Sequence, residues 1–442
     1  GVQEAGCWAL WFLAADDDIQ AQIADLGGIE QIVEALTSHP NVVQVQEAGC
    51  GALWNLAANT SINQVHIASA GGIDGVLSAM LTHPTAAGLQ YQALGALTNL
   101  VANKSFNKLQ LVNGGGIDVV VAVMKANQHI ARVQEQACAL LCDLALKNQV
   151  NKVLISESGG IERVVAAMSM HPAVVGVQEQ ACRALASLAA GVVETQDHIA
   201  WAGGIERSVA AMSSHPRVIS VQVEAVLALR NVASNSLVKQ AQVAAAGGIE
   251  SVVRAIMTHP LSLKLQQAAC ALLLALATSP NLVPRIKAAR GVEAIKQILE
   301  PNDIGASEWR PLMAQDFETQ RTAQEFLSKV VDSSPSSPSS PLSRVSGRQT
   351  LSMTSRSFSE PLPSSKSPKR GALPDVQGAS SPGSKHSSKN SSVNSSLDTS
   401  LGSPTHSEVA SDAIGTYMRR TGSRAFSVMS SAGRHLSLSS WS

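Results

Sequence analysis

The sequence has no apolar run near the ~18 residues of a membrane-spanning helix and no secretory signal pattern at its start. It also has no excess charge of either sign: 33 Lys and Arg balance 33 Asp and Glu, which removes the general field a polyanion binder needs. No CxxC, HExxH, catalytic-triad spacing or phosphate-binding glycine loop is present, and Gly114-Gly115-Gly116 lacks the strand and spacing such a loop requires. These absences predict a soluble, non-enzymatic protein with no cofactor and no nucleic-acid partner, cytoplasmic with the nucleus as a second location. The chain starts at Gly1, inside a repeat, so a fragment is expected, with its upstream part unseen.

What the sequence has is periodicity. Gly-Gly-Ile recurs at residues 27–29, 71–73, 115–117, 159–161, 203–205 and 247–249, each 44 residues after the last, and a weaker Arg290-Gly291-Val292 follows 43 later. A 442-residue chain is too long for one core unless the fold grows in one dimension, and this period lies in the range of stacked helical repeats. His39-Pro40, His83-Pro84, His171-Pro172, His215-Pro216 and His259-Pro260 keep the same beat, which the third repeat breaks with Asn127-Gln128-His129. Cys7, Cys50, Cys138, Cys182 and Cys270 share one repeat position, with Cys142 one turn after Cys138, and read as buried core thiols rather than disulfides or metal ligands.

The units divide as 16–59, 60–103, 104–147, 148–191, 192–235 and 236–279, with a remnant at 1–15 and a degenerate last unit at about 280–331. Each predicts three helices. Asn63–Ala70 is a first helix ended by a glycine able to turn left-handed, and Ile73–Thr82 is a second, apolar at Ile73, Val76, Leu77, Met80 and Leu81 and stopped at His83-Pro84. Val133–Leu146 is a longer third helix rich in Ala, Leu, Gln and Glu. Phe317–Val331 continues a helical pattern through Phe317, Ala323, Phe326, Leu327 and Val330 and reads as a C-terminal cap.

These residues resemble the armadillo repeat, in the Gly-Gly-Ile junction and in the pattern Val45-Gln46-Glu47-Ala48 followed by Ala52-Leu53-Trp54-Asn55-Leu56-Ala57. The His-Pro turn and the wording of Val177–Cys182 are similar to the armadillo segment of the large leucine-rich-repeat kinases and related protist scaffolds. The resemblance covers residues 1–331 and implies an all-α, right-handed α-solenoid of about seven three-helix repeats that binds peptides on its third-helix groove.

On the third helix, Asn55, Asn99, Asp143, Ser187, Asn231 and Ala275 share one angular position. At 100° per residue, positions two, five and six earlier face the core, whereas positions four and seven earlier share the reference face. That face carries Gln92, Gln136 and Gln180, and a rim eight residues before the reference carries Glu4, Glu47, Glu135 and Glu179, with Tyr91 among them. Amides donate and accept, so they suit an extended backbone of any sequence, and the acids favour Lys or Arg in the guest. The opposite reading is that the glutamates are only a solvated helix face. The recurrent Gln3, Gln46, Gln90, Gln134, Gln178, Gln222 and Gln266 point inward and are expected to pair with backbone. The histidines at 39, 83, 129, 171, 215 and 259 read as turn residues.

Nuclear import adaptors of this fold carry a Trp one turn before the groove Asn. That place here holds Trp8, then Gly51, Gly95, Ala139, Arg183, Leu227 and Ala271, while Trp54 is expected to point elsewhere. The leading expectation is a scaffold for extended, basic segments of protein partners. The alternatives are a nuclear transport adaptor and a regulatory fragment of a larger leucine-rich-repeat kinase-like protein.

Residues 332–442 lose the period and hold 36 serines in 111 positions, with 12 Lys and Arg against 6 Asp and Glu. Such composition predicts a disordered tail. Arg356-Ser357-Phe358-Ser359-Glu360-Pro361 matches the phosphopeptide pattern read by 14-3-3 proteins, with Arg356 three residues before Ser359 and Pro361 two after it. Ser367-Pro368-Lys369-Arg370 suits a proline-directed kinase, and Ser423, Ser427 and Ser437 each follow an Arg by three.

Overall fold

The computed structural model describes residues 1–300 and 316–331. The predicted tail and its motifs at Arg356, Ser359, Pro361, Ser367, Ser423, Ser427 and Ser437 lie outside the described residues. Six successive units each form three helices, from Asp17–Asp25, Gly28–Ser38 and Val43–Leu56 to Leu237–Ala245, Gly248–Thr258 and Leu263–Leu276. The remnant forms Val2–Leu13, a third helix by position. In unit two the helices run Ser61–Ser69, Gly72–Thr82 and Ala87–Val101, close to the bounds the sequence predicts.

The glycine pair solves two separate problems. Its first member adopts φ of 79° at Gly27 and 84° at Gly71, a region that costs other residues ~1–2 kcal/mol. Its second member lacks room for a side chain: a Cβ on Gly72 would lie 2.5 Å from Ile67 Cγ2 and 2.8 Å from the Ile67 carbonyl oxygen. The weak seventh copy keeps the turn with Arg290 at φ 64°.

The predicted inward arc of the third helix is the core, with Ala137, Cys138 and Leu141 fully buried. All six cysteines are buried free thiols, and burial pushes Cys182 and Cys270 up to about 12, which keeps them protonated and unreactive.

The inward glutamines are hydrogen-bond staples. In each of the six units one Nε2 donates twice, to the last turn of the second helix and to the turn that follows it. Gln134, for example, reaches Met124 O at 3.0 Å and Asn127 O at 2.9 Å, and Gln178 reaches Met168 O and His171 O at 2.9 and 3.0 Å. A helix C-terminus leaves carbonyls without intrahelical partners, and this side chain satisfies one of them where water is excluded and adds a second bond to the turn carbonyl, which already accepts a backbone N–H three residues on. Gln3, which has no such turn before it, is exposed.

The turns also bond to one another along the array. His83 meets the Pro40 carbonyl and His215 the Pro172 carbonyl, both through Nε2 at 2.8 Å. In unit three His129 lies in the turn as expected, but Asn127 takes the place equivalent to the other histidines and donates to Pro84 O at 2.8 Å, while His129 contacts Gln128. An amide N–H replaces an imidazole N–H, so the motif breaks in sequence but the bond does not.

First helices tie units together by capping third helices. Asn63 and Gln64 donate to Leu56 O and Ala57 O of the preceding unit, and buried Lys152 reaches Ala190 O at the end of its own unit's third helix. Burial lowers the pKa of Lys152, and the negative end of the helix supplies its compensation. Neighbouring third helices pack closely all along the stack, whereas second helices touch much less, so the layers fan out with the third helices on the inner side.

The last unit keeps a short Val283–Ala288, Gly291–Leu299 and then Phe317–Val331, which packs on Leu263–Leu276 as a third helix would. Ala323, Phe326 and Val330 are its buried face, and Phe317, expected in the apolar pattern, is exposed.

Candidate functional site: the inner face of the third-helix layer

The reference residues lie together on successive third helices, half-buried, but their amides are already engaged. Asn55 donates through Nδ2 to Trp11 O at 3.0 Å, Asn99 to Trp54 O at 3.0 Å and Asn231 to Ala186 O at 2.8 Å. Ser187 makes the equivalent backward contact to Cys142 Sγ at 3.1 Å. These side chains bridge adjacent third helices. A second N–H remains on each amide, so Asn55, Asn99 and Asn231 combine a structural bond with residual capacity toward the face.

The glutamines seven residues earlier differ. Gln92 and Gln136 are half-buried on the same face and make no hydrogen bond among the described residues, while Gln180 accepts from Arg183 at 3.2 Å. Asp143 pairs with Arg183 of the next unit at 3.2 Å, yet burial still raises its pKa, with Arg183 and Lys108 opposing. The centre of the stripe therefore contains one satisfied ion pair between two open amides and the next unit.

The rim follows a rule that the periodicity did not announce. Glu47, Tyr91, Glu135 and Glu179, eight before the reference, reach the second residue of the next third helix. A Cβ on Gly88 would lie 2.4 Å from Glu47 Oε1, and one on Gly176 would lie 2.3 Å from Glu135 Oε2. Tyr91 takes Arg132 over its ring at 5.3 Å, and Ser220 donates to Glu179 at 2.6 Å. One register later, Lys264 pairs with Glu224 at 3.0 Å. Glu47 and Glu135 have no ion pair or hydrogen bond among the described residues. Burial, then the nearby carboxylate of Glu179, raises the pKa of Glu135. Glu4 is instead held by the Gly1 amine at 2.9 Å.

The reading of Trp54 as turned away is corrected. Its ring lies on Gly95, where a Cβ would come within 2.4 Å, and it meets Tyr91 edge-on at 5.2 Å. Trp11 covers Gly51 in the same way, at 2.5 Å, and stacks on Trp8 at 4.6 Å. The glycines four before the reference are small because the preceding unit's Trp fills their place. The same two repeat positions hold Thr98 and Ala139, Cys142 and Arg183, Ala186 and Leu227, and Arg230 and Ala271 in the later units. The inner face thus runs from an aromatic end, with Trp8, Trp11, Trp54 and Tyr91, to a carboxylate and amide middle.

Sequence reasoning missed the contacts of Trp11, Trp54, Tyr91 and Arg132 because helical angle arithmetic treats one helix at a time, and these contacts cross between units. The signal was there: glycine occurs at that position only in units preceded by the tryptophan. Among the described residues no group of three or more His, Cys, Asp or Glu could hold a metal ion, and no single helix is long and apolar enough to cross a membrane.

Comparison with known proteins agrees with this architecture. Residues 13–189 match the family model described as the LRRK2 ARM repeat. Among solved structures, an engineered protein, Northeast Structural Genomics Consortium target OR497, is 28% identical over 73% of each chain with a TM-score of 0.62. A second engineered protein, target OR366, is 26% identical over 57% of this chain and 99% of its own, with a TM-score of 0.51. No curated protein gives a significant match.

Proposed function

We propose, from the premise that this chain is an armadillo-repeat protein, that it is a scaffold whose inner third-helix face binds extended, basic segments of partner proteins. The observation that carries the reading is the row of half-buried carboxylates at Glu47, Glu135 and Glu179, flanked by the open amides of Gln92 and Gln136 and lacking any cation among the described residues. Burying a carboxylate without a partner is unfavourable, and a guest Lys or Arg would relieve that cost. The amides would bond the guest's backbone. Cytoplasmic residence and a phosphorylated tail, with Arg356, Ser359 and Pro361 as a 14-3-3 ligand, belong to the same proposal.

Glu135→Lys with Glu179→Lys should weaken an octapeptide of alternating Lys and Arg by at least tenfold, equivalent to about 1.4 kcal/mol, in a fluorescence titration. Unchanged affinity would falsify the reading. A second test separates binding from support. Glu135 has a folded-state pKa above its unfolded value, so the folded chain holds the extra proton and loses stability as pH rises through the folded value. Glu135→Gln should therefore melt higher than wild type at neutral pH while binding the same peptide more weakly. Wild-type affinity should also grow as pH rises through the same elevated value. A purely structural glutamate would not give gains in stability and losses in binding together.

A further inference from the structure

The final thirty residues, 413–442, contain Arg419, Arg420, Arg424 and Arg434 and no Asp or Glu, although the chain as a whole is balanced. Residues 413–442 carry +4 of the tail's net +6. Tyr417 precedes those arginines, Phe426 lies among them and Trp441 follows them, in a chain with only 3% aromatics. The inner face has the matching chemistry in the same two kinds, carboxylates at Glu47, Glu135 and Glu179 and the half-buried rings of Trp54 and Tyr91. Guanidinium groups form bidentate bonds with carboxylates and stack on aromatic rings, which suits both parts of that face.

We propose that residues 413–442 are an intramolecular guest of the inner face, and that phosphorylation of Ser423, Ser427 and Ser437 releases them. The inference rests on the peptide-binding reading above and names one occupant of the groove and its control. Reach is sufficient. The last described helix ends at Val331 and packs on the sixth third helix, and a connection as long as residues 332–412 spans ~50 Å as a random coil. Units three and four lie ~30–40 Å back along the stack at ~10 Å per unit. Tethering at that range gives an effective concentration near the millimolar level, so even a weak site would be occupied.

The release step follows from charge. Each of the three serines stands three residues after one of the arginines, and each phosphate adds about −1.5 to −2. Three phosphates change a segment whose four arginines give +4 into one of roughly −0.5 to −2, which the rim carboxylates repel. The arginines that attract the segment to the rim are thus also the basic determinants for the kinase that would free it.

The experiment uses the full chain and a labelled synthetic peptide of residues 413–442. The wild-type groove is occupied by its own tail, so the added peptide should bind it at least tenfold more weakly than it binds a full chain carrying Arg419→Glu, Arg420→Glu and Arg424→Glu. Adding Glu135→Lys and Glu179→Lys to that variant should abolish binding, and a peptide phosphorylated at the three serines should not bind it. Circular dichroism melting confirms that each variant is folded. Equal affinity for wild type and the arginine variant overturns the proposal, as does a phosphopeptide that binds as well as the unmodified one. The alternating Lys-Arg octapeptide is the control for the underlying reading: if it binds the arginine variant and the tail peptide does not, only the intramolecular guest is lost. If neither binds, both fall.

Discussion

Replacing Gln134 with leucine should cost the array about 2 to 4 kcal/mol. The side chain is buried, and its one amide nitrogen serves Met124 O and Asn127 O, both cut off from water. Leucine fills nearly the same volume, so packing loss is small and the penalty comes from stranding Met124 O, at ~1–3 kcal/mol, and from the second bond lost by Asn127 O, which keeps the Ile130 N–H, at ~0.5–1.5 kcal/mol. Such a loss compares with the roughly 5–15 kcal/mol that holds a typical domain folded. Because repeat arrays are held by nearest-neighbour contacts, the damage should split the cooperative unfolding transition, leaving the units on either side to melt separately. Urea unfolding followed by circular dichroism checks this. A single transition at the wild-type midpoint would show that the staple contributes little.

Gly95→Leu should cost ~3 kcal/mol, at the upper end of overpacking penalties, since a Cβ alone would come within 2.4 Å of the Trp54 ring. In an exposed helix interior the same change would stabilise by ~1 kcal/mol, so the sign itself reports the crossing contact. The same two repeat positions hold Ala186 and Leu227 farther along, with the small residue first and the large one second. Trp54→Ala should therefore recover more than half of the loss in the double variant. Thermal melts of the four-member cycle measure the coupling, and simple additivity of the two single changes would sink the explanation.

Much of the array was legible from the sequence because one local solution is repeated. Gly-Gly-Ile fixes the left-handed turn and the tight entry to the second helix, the spacing of apolar residues fixes the buried faces, and the inward glutamines announce their role by never varying. The site was only partly legible. The angle arithmetic put Asn55, Asn99 and Asn231 at one repeat position, but it could not tell that a neighbour's backbone holds one hydrogen of each amide. It placed Glu47, Glu135 and Glu179 in a row without revealing that each leans on the next helix, and it sent Trp54 the wrong way. All three gaps have one cause. A helical wheel contains no second helix, and what the third-helix layer presents is decided by pairs 40 to 45 residues apart.

The prolyl carbonyls at the turns carry a consequence for the array's length. Those of Pro40, Pro84, Pro172 and Pro216, with Gln128 O in the same role, accept a hydrogen from the matching place one module on, whether the donor is imidazole, as at His83, or amide, as at Asn127. Nothing in that linkage refers to a particular module, so the turn seam would reclose after any one of them was excised or duplicated. Only the bulk matching beside it, Trp against Gly, distinguishes one junction from another. The seam therefore sets how the modules join, and the interlocking rings and gaps set which of them are neighbours.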